Sequence, residues 1–164
     1  MRLPRAAGEV YAEMRPRTSD ADCCVYARDV LVRAYGLPDP APEMQALWCV
    51  HLGDDGTVPA SRVWGPTQAA IESDIAVALV GEPLPGRWHL CQGWRSLRAD
   101  GRADPRHDQG HTWLWYAASD DIGVVLDSAR DRGARVEGWQ SWSRRLDIYA
   151  AGIRMALLRA PPKS

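Results

Sequence analysis

The sequence predicts an α+β domain, with helices packed early and an antiparallel sheet built late. Three observations carry this. Apolar residues follow helical spacing before about residue 80. Period-two alternation replaces it after Pro83. From about residue 111 onward the strand-like runs are joined by turns short enough for hairpins, so the strands pair antiparallel rather than alternating with helices.

Taken in order, residues 1–10 carry little pattern, with fraying or a short helix through Tyr11 and Met14 as the two readings. Residues 15–22 (RPRTSDAD) form a loop by composition, and their Ser and Asp residues suit a helix N-cap. From Cys23, the residues Val25, Tyr26, Val30, Leu31 and Ala34 mark a helix that Gly36 caps, with Pro38 just beyond. Residues 38–42 link this helix to a shorter candidate over 43–52 that carries Trp48, and residues 53–56 (GDDG) turn. Residues 64–80 read as a second long helix, with Pro66 in its first turn and Gly81 at its end. Pro85 and Gly86 turn into a strand over 87–94, where Trp88, Leu90, Gln92 and Trp94 alternate with Arg87, His89 and Cys91. A charged loop covers 97–110. Strands follow over 111–117 and 123–127 around a Ser119-Asp120-Asp121 turn, then a turn over 129–133 and a short strand over 135–138. A short helix over 139–149 and a closing strand over 152–158 complete the order.

Bulk properties exclude several classes. The length of 164 residues suits one domain with a real core, read as a single unit over 1–164 with a helical insertion around 37–82. A net charge of −1 with 25% charged residues is not the footprint of a nucleic-acid binder. No run approaches the ~20 apolar residues of a membrane span. The N-terminus has basic residues but no apolar core of a signal peptide, so the expectation is synthesis in the cytoplasm. The four cysteines, at positions 23, 24, 49 and 91, have no disulfide-framework spacing and read as reduced thiols. No cofactor-binding motif is present. Eight Trp and no Phe make Trp the dominant aromatic, suited to cores and cleft walls alike.

The chemistry concentrates at residues 22–28, Asp-Cys-Cys-Val-Tyr-Ala-Arg. A thiol in the first turn of a helix lies at the positive end of the helix dipole beside free N–H groups, which favours the thiolate. Cys23 is the candidate nucleophile, because the helical register turns it out of the first turn while Cys24 is left to pack; Cys24 stays the alternative. A thiolate nucleophile needs a base. His111 opens an apolar strand directly after Gly110, whereas His107 sits in a charged loop. Asp127 ends the next strand, and a hairpin around 119–121 brings it beside His111, where it can orient the imidazole.

These residues carry a family resemblance. Cys, His and an acidic residue, the first on a helix and the others on successive strands, resemble the papain-like cell-wall hydrolases, the NlpC-type peptidases and CHAP amidases. Asp22-Cys23 before a helix is similar to the NlpC-type Asp-Cys-Ser-Gly motif, and Cys23-Cys24-Val25-Tyr26-Ala27 to the CHAP pattern Cys-Thr-Trp-Tyr-Ala. Pro85-Gly86 resembles their Pro-Gly-Asp turn, with Arg87 in the acidic place, and Gly110-His111 their Gly-His-Val. Tyr11 stands where NlpC-type enzymes often carry a tyrosine at the oxyanion site. The resemblance spans about residues 11–130 through short motifs only. It implies a papain-like fold and a Cys23–His111–Asp127 amide hydrolase acting on peptidoglycan or muropeptides without a cofactor or metal. It also implies a chain that reaches the wall by release or delivery, as a phage-particle component or lysin would. Gln92, Trp94, Arg95, Trp113 and Trp115 are then the expected cleft lining, with Tyr11.

Three other readings remain open from the sequence. A non-catalytic wall-binding or phage structural protein could keep the same fold. A related enzyme could act on protein amides. Finally, Cys49, His51, His89 and Cys91 form two mirrored pairs that a zinc ion could bridge, although the spacing is not a usual zinc pattern.

Overall fold

Six strands form one antiparallel sheet in the order β1-β6-β2-β3-β4-β5, in a computed structural model that describes residues 23–37, 47–48, 52–129 and 133–159, with 129 and 133–139 described by backbone alone. The strands are β1 (Ala76–Val80), β2 (Trp88–Trp94), β3 (Gly110–Ala117), β4 (Ile122–Ala129), β5 (Gly133–Ser141) and β6 (Gly152–Leu158). Helices α1 (Cys23–Ala34), α2 (Gly65–Glu72) and α3 (Trp142–Ile148) accompany them, with a 3-10 turn at Ala60–Arg62. The α+β class holds, with helices and an antiparallel sheet as expected.

Helix α1 forms where its periodicity says. Cys24, Tyr26, Ala27, Val30 and Leu31 are its buried stripe. Its end is a Schellman motif: Gly36 takes φ +61°, its N–H bonds Arg33 O, and Leu37 N–H bonds Val32 O. The buried stripe packs on β3 and β4 through a cluster with Leu90, Leu114 and Leu126. Just past the helix end, the Tyr35 hydroxyl donates to the Arg159 carbonyl. That contact fixes the helix direction and leaves Cys23 at the opposite end of the sheet.

Burial pushes the Tyr35 phenol up to about 12, against a smaller opposing pull from the Arg87 cation. The folded chain therefore holds this proton more tightly than the unfolded chain does. The stability this contributes is intact below the ordinary phenol value of 10.0 and is lost as pH rises through about 12. Melting temperature is expected to fall across that window, and to fall less steeply in Tyr35→Phe, in thermal melts taken at intervals above about pH 9.

The long helix expected over 64–80 is corrected. Pro66 does sit in the first turn of α2, but the helix stops at Glu72. The Ser73 N–H and hydroxyl both bond back to Ala69 O, and Asp74 takes a left-handed φ of +62°. Ala76–Val80 is then a strand paired with β6. The stretch 37–82 is thus not a purely helical insertion, since it supplies an edge strand of the sheet. Of the shorter helix expected over 43–52, Leu47 and Trp48 are helical, Leu52 is not, and the rest lies outside the described residues, as do residues 1–22. The strand expected over 135–138 is longer, reaching Ser141, and α3 accordingly begins at Trp142 rather than 139.

From β3 to β5 the sheet is the expected meander, and β2 joins it beside β3. β6 departs from it, crossing back to lie between β1 and β2. Both faces of the sheet centre are covered, so every residue of β2 is buried. One face carries Trp88, Leu90, Leu114 and Leu126 under α1 and α2. The other carries Cys91, Trp113, Trp115, Val125 and Met155 under Trp142 and Tyr149. Trp115 and Trp142 meet edge to face at 5.3 Å, and Gly123 makes room for Trp115, since a Cβ there would lie 2.3 Å from its ring. Asp121, in the β3–β4 turn, anchors α3: its carboxylate accepts the Ser143 N–H and the hydroxyls of Ser141 and Ser143, which hold it below the usual carboxylate range. Among the described residues no helix is long and apolar enough to cross a membrane.

Candidate functional site

The β3–β4 ladder runs from Ala117 opposite Gly123 to Leu114 opposite Leu126. His111 and Asp127 lie beyond its end, and there a side-chain hydrogen bond joins the strands: His111 Nε2 to Asp127 Oδ2, 2.7 Å. Asp127 is 1% exposed and His111 16%. An ionised carboxylate only accepts, so this bond puts the proton on Nε2 and leaves the lone pair on Nδ1. The imidazole lies nearly parallel to the Trp113 ring at 5.9 Å and 18°.

Cys23 is the first residue of α1 and is half-buried, whereas Cys24 beside it is buried. Helix α1 contacts both β3 and β4, and its Cys23 end lies toward the His111–Asp127 end of the sheet. A common neighbour ties the three residues together. The Tyr149 phenol feels the charges of Arg145, Arg95, Asp127 and Cys23, and burial, the dominant cause, keeps it above its ordinary pKa. Thus Cys23, His111 and Asp127 belong to one end of the fold.

No family model, curated protein or solved structure matches this chain.

The expected cleft lining fares unevenly. Arg95 is exposed and close enough to act on Tyr149. Gln92 is not part of the cleft: it is 1% exposed on the α2 face, where its Oε1 accepts from Thr67 N–H and hydroxyl and its Nε2 donates to Val63 O. Trp94 is likewise buried and donates through Nε1 to Val63 O, with its ring under Gly110. Trp113 and Trp115 are fully buried core. These four are structural supports, for a reason the alternation concealed: the centre of the sheet is covered on both sides, so β2 and the middle of β3 are buried, whereas the Gly110–His111 end of β3 is not. Tyr11 lies outside the described residues.

The zinc alternative loses one of its pairs. His89 Nε2 accepts the Leu84 N–H and its Nδ1 faces Trp115 O, so both ring nitrogens are used within the fold. Burial lowers the His89 pKa, and it raises that of the fully buried Cys91 thiol. Cys49 and His51 lie outside the described residues. Among the described residues no group of three or more His, Cys, Asp or Glu side chains is gathered to hold a metal.

Two residues at this end went unread in the sequence, Arg145 and Tyr149. Arg145 is 7% exposed and lies over the Trp113 ring at 5.0 Å. Tyr149 stacks on the same indole at 5.1 Å and 24°. Its ring lies on Gly93, the register partner of His111; a Cβ at Gly93 would sit 2.5 Å from Tyr149 Cγ. Gly93 is the one signal the sequence held, a glycine inside a strand where another group approaches closely. Gly93→Ala is expected to push Tyr149 off the sheet and cost on the order of 1–3 kcal/mol, read from denaturant unfolding.

Proposed function

We propose that this chain is a papain-like cysteine amide hydrolase acting on bacterial peptidoglycan, in its stem peptides or at the sugar–peptide amide. The observation that carries this reading is the His111–Asp127 hydrogen bond at the end of the sheet toward which the N-terminus of α1, with Cys23, is directed. Cys23 is the nucleophile, His111 the base and Asp127 the group that fixes the imidazole. His111 Nδ1 takes the thiol proton, and the helix dipole favours the thiolate that results. The thiolate adds to the amide carbonyl, backbone N–H groups of the first helical turn hold the oxyanion, and the imidazolium protonates the departing amine. Water, deprotonated by His111, then releases the acyl group from Cys23.

The peptidoglycan assignment draws on the motif resemblance around Cys23 and His111, and with it the expectation that the chain is released or delivered to the wall. The test is mass spectrometry of purified peptidoglycan incubated with wild type, Cys23→Ala and Cys24→Ala. New muropeptide termini with wild type and Cys24→Ala, and none with Cys23→Ala, are expected. Turnover surviving in Cys23→Ala but lost in Cys24→Ala would move the nucleophile by one residue. Intact peptidoglycan alongside ammonia release from protein glutamine would move the substrate to protein amides.

A further inference from the structure

The end of the sheet that carries His111 also carries two polar groups that the mechanism above does not use. Gly93 lies one residue before the end of β2, and Arg95 sits in the bend just past that end, close enough for its charge to act on Tyr149. Gly93 pairs with His111, and Tyr149 lies on Gly93. Arg95 follows at the strand end, its N–H bonded to Gln109 O just before Gly110. Tyr149 is 8% exposed, and among the described residues its hydroxyl has no hydrogen-bond partner. Arg95 is exposed, and among the described residues its guanidinium has no ion pair. The other arginines of the neighbouring loop differ: Arg98, Arg102 and Arg106 each have a nearby aspartate.

We propose that Arg95 and the Tyr149 hydroxyl form a subsite for a substrate carboxylate carried within a few atoms of the scissile amide, which makes anionic amides the substrate class. The inference rests on Cys23 being the reactive thiol. A guanidinium and a phenol are both donors, and together they match the acceptor-only oxygens of a carboxylate. A phenol is an O–H donor at neutral pH, and burial raises the Tyr149 pKa further from that range. Arg145, buried over the Trp113 ring, is a further cation whose charge acts on Tyr149. An uncharged amide would leave the Arg95 cation unanswered, whereas a carboxylate beside the reacting carbonyl would be held next to Cys23.

The test needs no natural substrate. Iodoacetate and iodoacetamide deliver the same reacting carbon to a thiol, one with a carboxylate attached and one without. Their alkylation rates at Cys23 in the full chain are measured by tandem mass spectrometry, which separates Cys23 from Cys24. The iodoacetate-to-iodoacetamide ratio is normalised to that of free cysteine in the same buffer. Wild type is expected to exceed free cysteine by about tenfold, the scale of one charge-assisted hydrogen bond. Arg95→Gln should bring the ratio near that of free cysteine, Tyr149→Phe should lower it several-fold, and Arg98→Gln should leave it unchanged. Added salt should shrink the wild-type excess, because Arg95 is exposed. A wild-type ratio equal to that of free cysteine, or one indifferent to both Arg95→Gln and Tyr149→Phe, overturns the subsite. The nucleophile reading fails by a different result: iodoacetamide alkylation of Cys23 that follows an ordinary thiol pH profile and does not respond to His111→Ala. The two failures are therefore read from separate columns of the same experiment.

Discussion

Cys23→Ala is expected to abolish the proposed peptidoglycan cleavage while leaving the fold in place. The expected loss is on the order of 10⁴-fold or more in kcat, since the acyl intermediate of the proposed mechanism forms on the Cys23 sulfur. The stability change should stay within about 1 kcal/mol, because the thiol is half-buried in the first helical turn and its removal opens no core cavity. Cys24→Ala should invert the pattern. Cys24 is 6% exposed and packs inward, so losing its sulfur costs about 1 kcal/mol and leaves turnover near wild type. Digestion assays and denaturant melts on the two variants give four numbers. A Cys23→Ala protein that still cleaves, or one that fails to melt cooperatively, defeats the assignment of Cys23 as a half-buried nucleophile on an intact helix.

The difference between these two adjacent cysteines was legible in the sequence because helix geometry is local. Spacing of Tyr26, Val30 and Leu31 fixes the buried stripe, and Cys24 falls on it while Cys23 does not. The hairpin was legible for a similar reason. A short turn at 119–121 sets the register, and the register carries Asp127 to the His111 end of β3. What the sequence hid depends on partners far along the chain. Residues 76–80 continue the helical spacing of α2, and only pairing with β6, some eighty residues later, makes them a strand. The tryptophans of β2 and β3 alternate as a half-exposed strand would, yet α1 and α2 cover one face and the α3 segment the other, so they became core instead of cleft. Tyr149 follows α3 with no motif around it, and it reaches the site only because Gly93 leaves space for its ring.

Asp127→Ala should cost on the order of 10³–10⁴-fold in kcat, by releasing the His111 imidazole from the tautomer and orientation that put Nδ1 to use. Asp127 is 1% exposed, so its loss also leaves a buried Nε2–H without its acceptor, at about 1–3 kcal/mol of stability. Asp127→Asn separates the two contributions a carboxylate can make here. The asparagine carbonyl can still accept from Nε2–H, which preserves tautomer and orientation but removes the negative charge that favours the imidazolium. If orientation dominates, Asn restores most of the rate that Ala loses. If charge dominates, the two variants are equally slow, while only Ala is destabilised. Steady-state kinetics and urea unfolding on the pair distinguish these outcomes. Full activity in Asp127→Ala would instead reduce the 2.7 Å bond to a strand-end tie between β3 and β4. The electrostatic link from Asp127 to Tyr149 adds a cross-check: removing the carboxylate takes away one of the charges that raise the Tyr149 phenol, so its titration should shift downward in both variants alike.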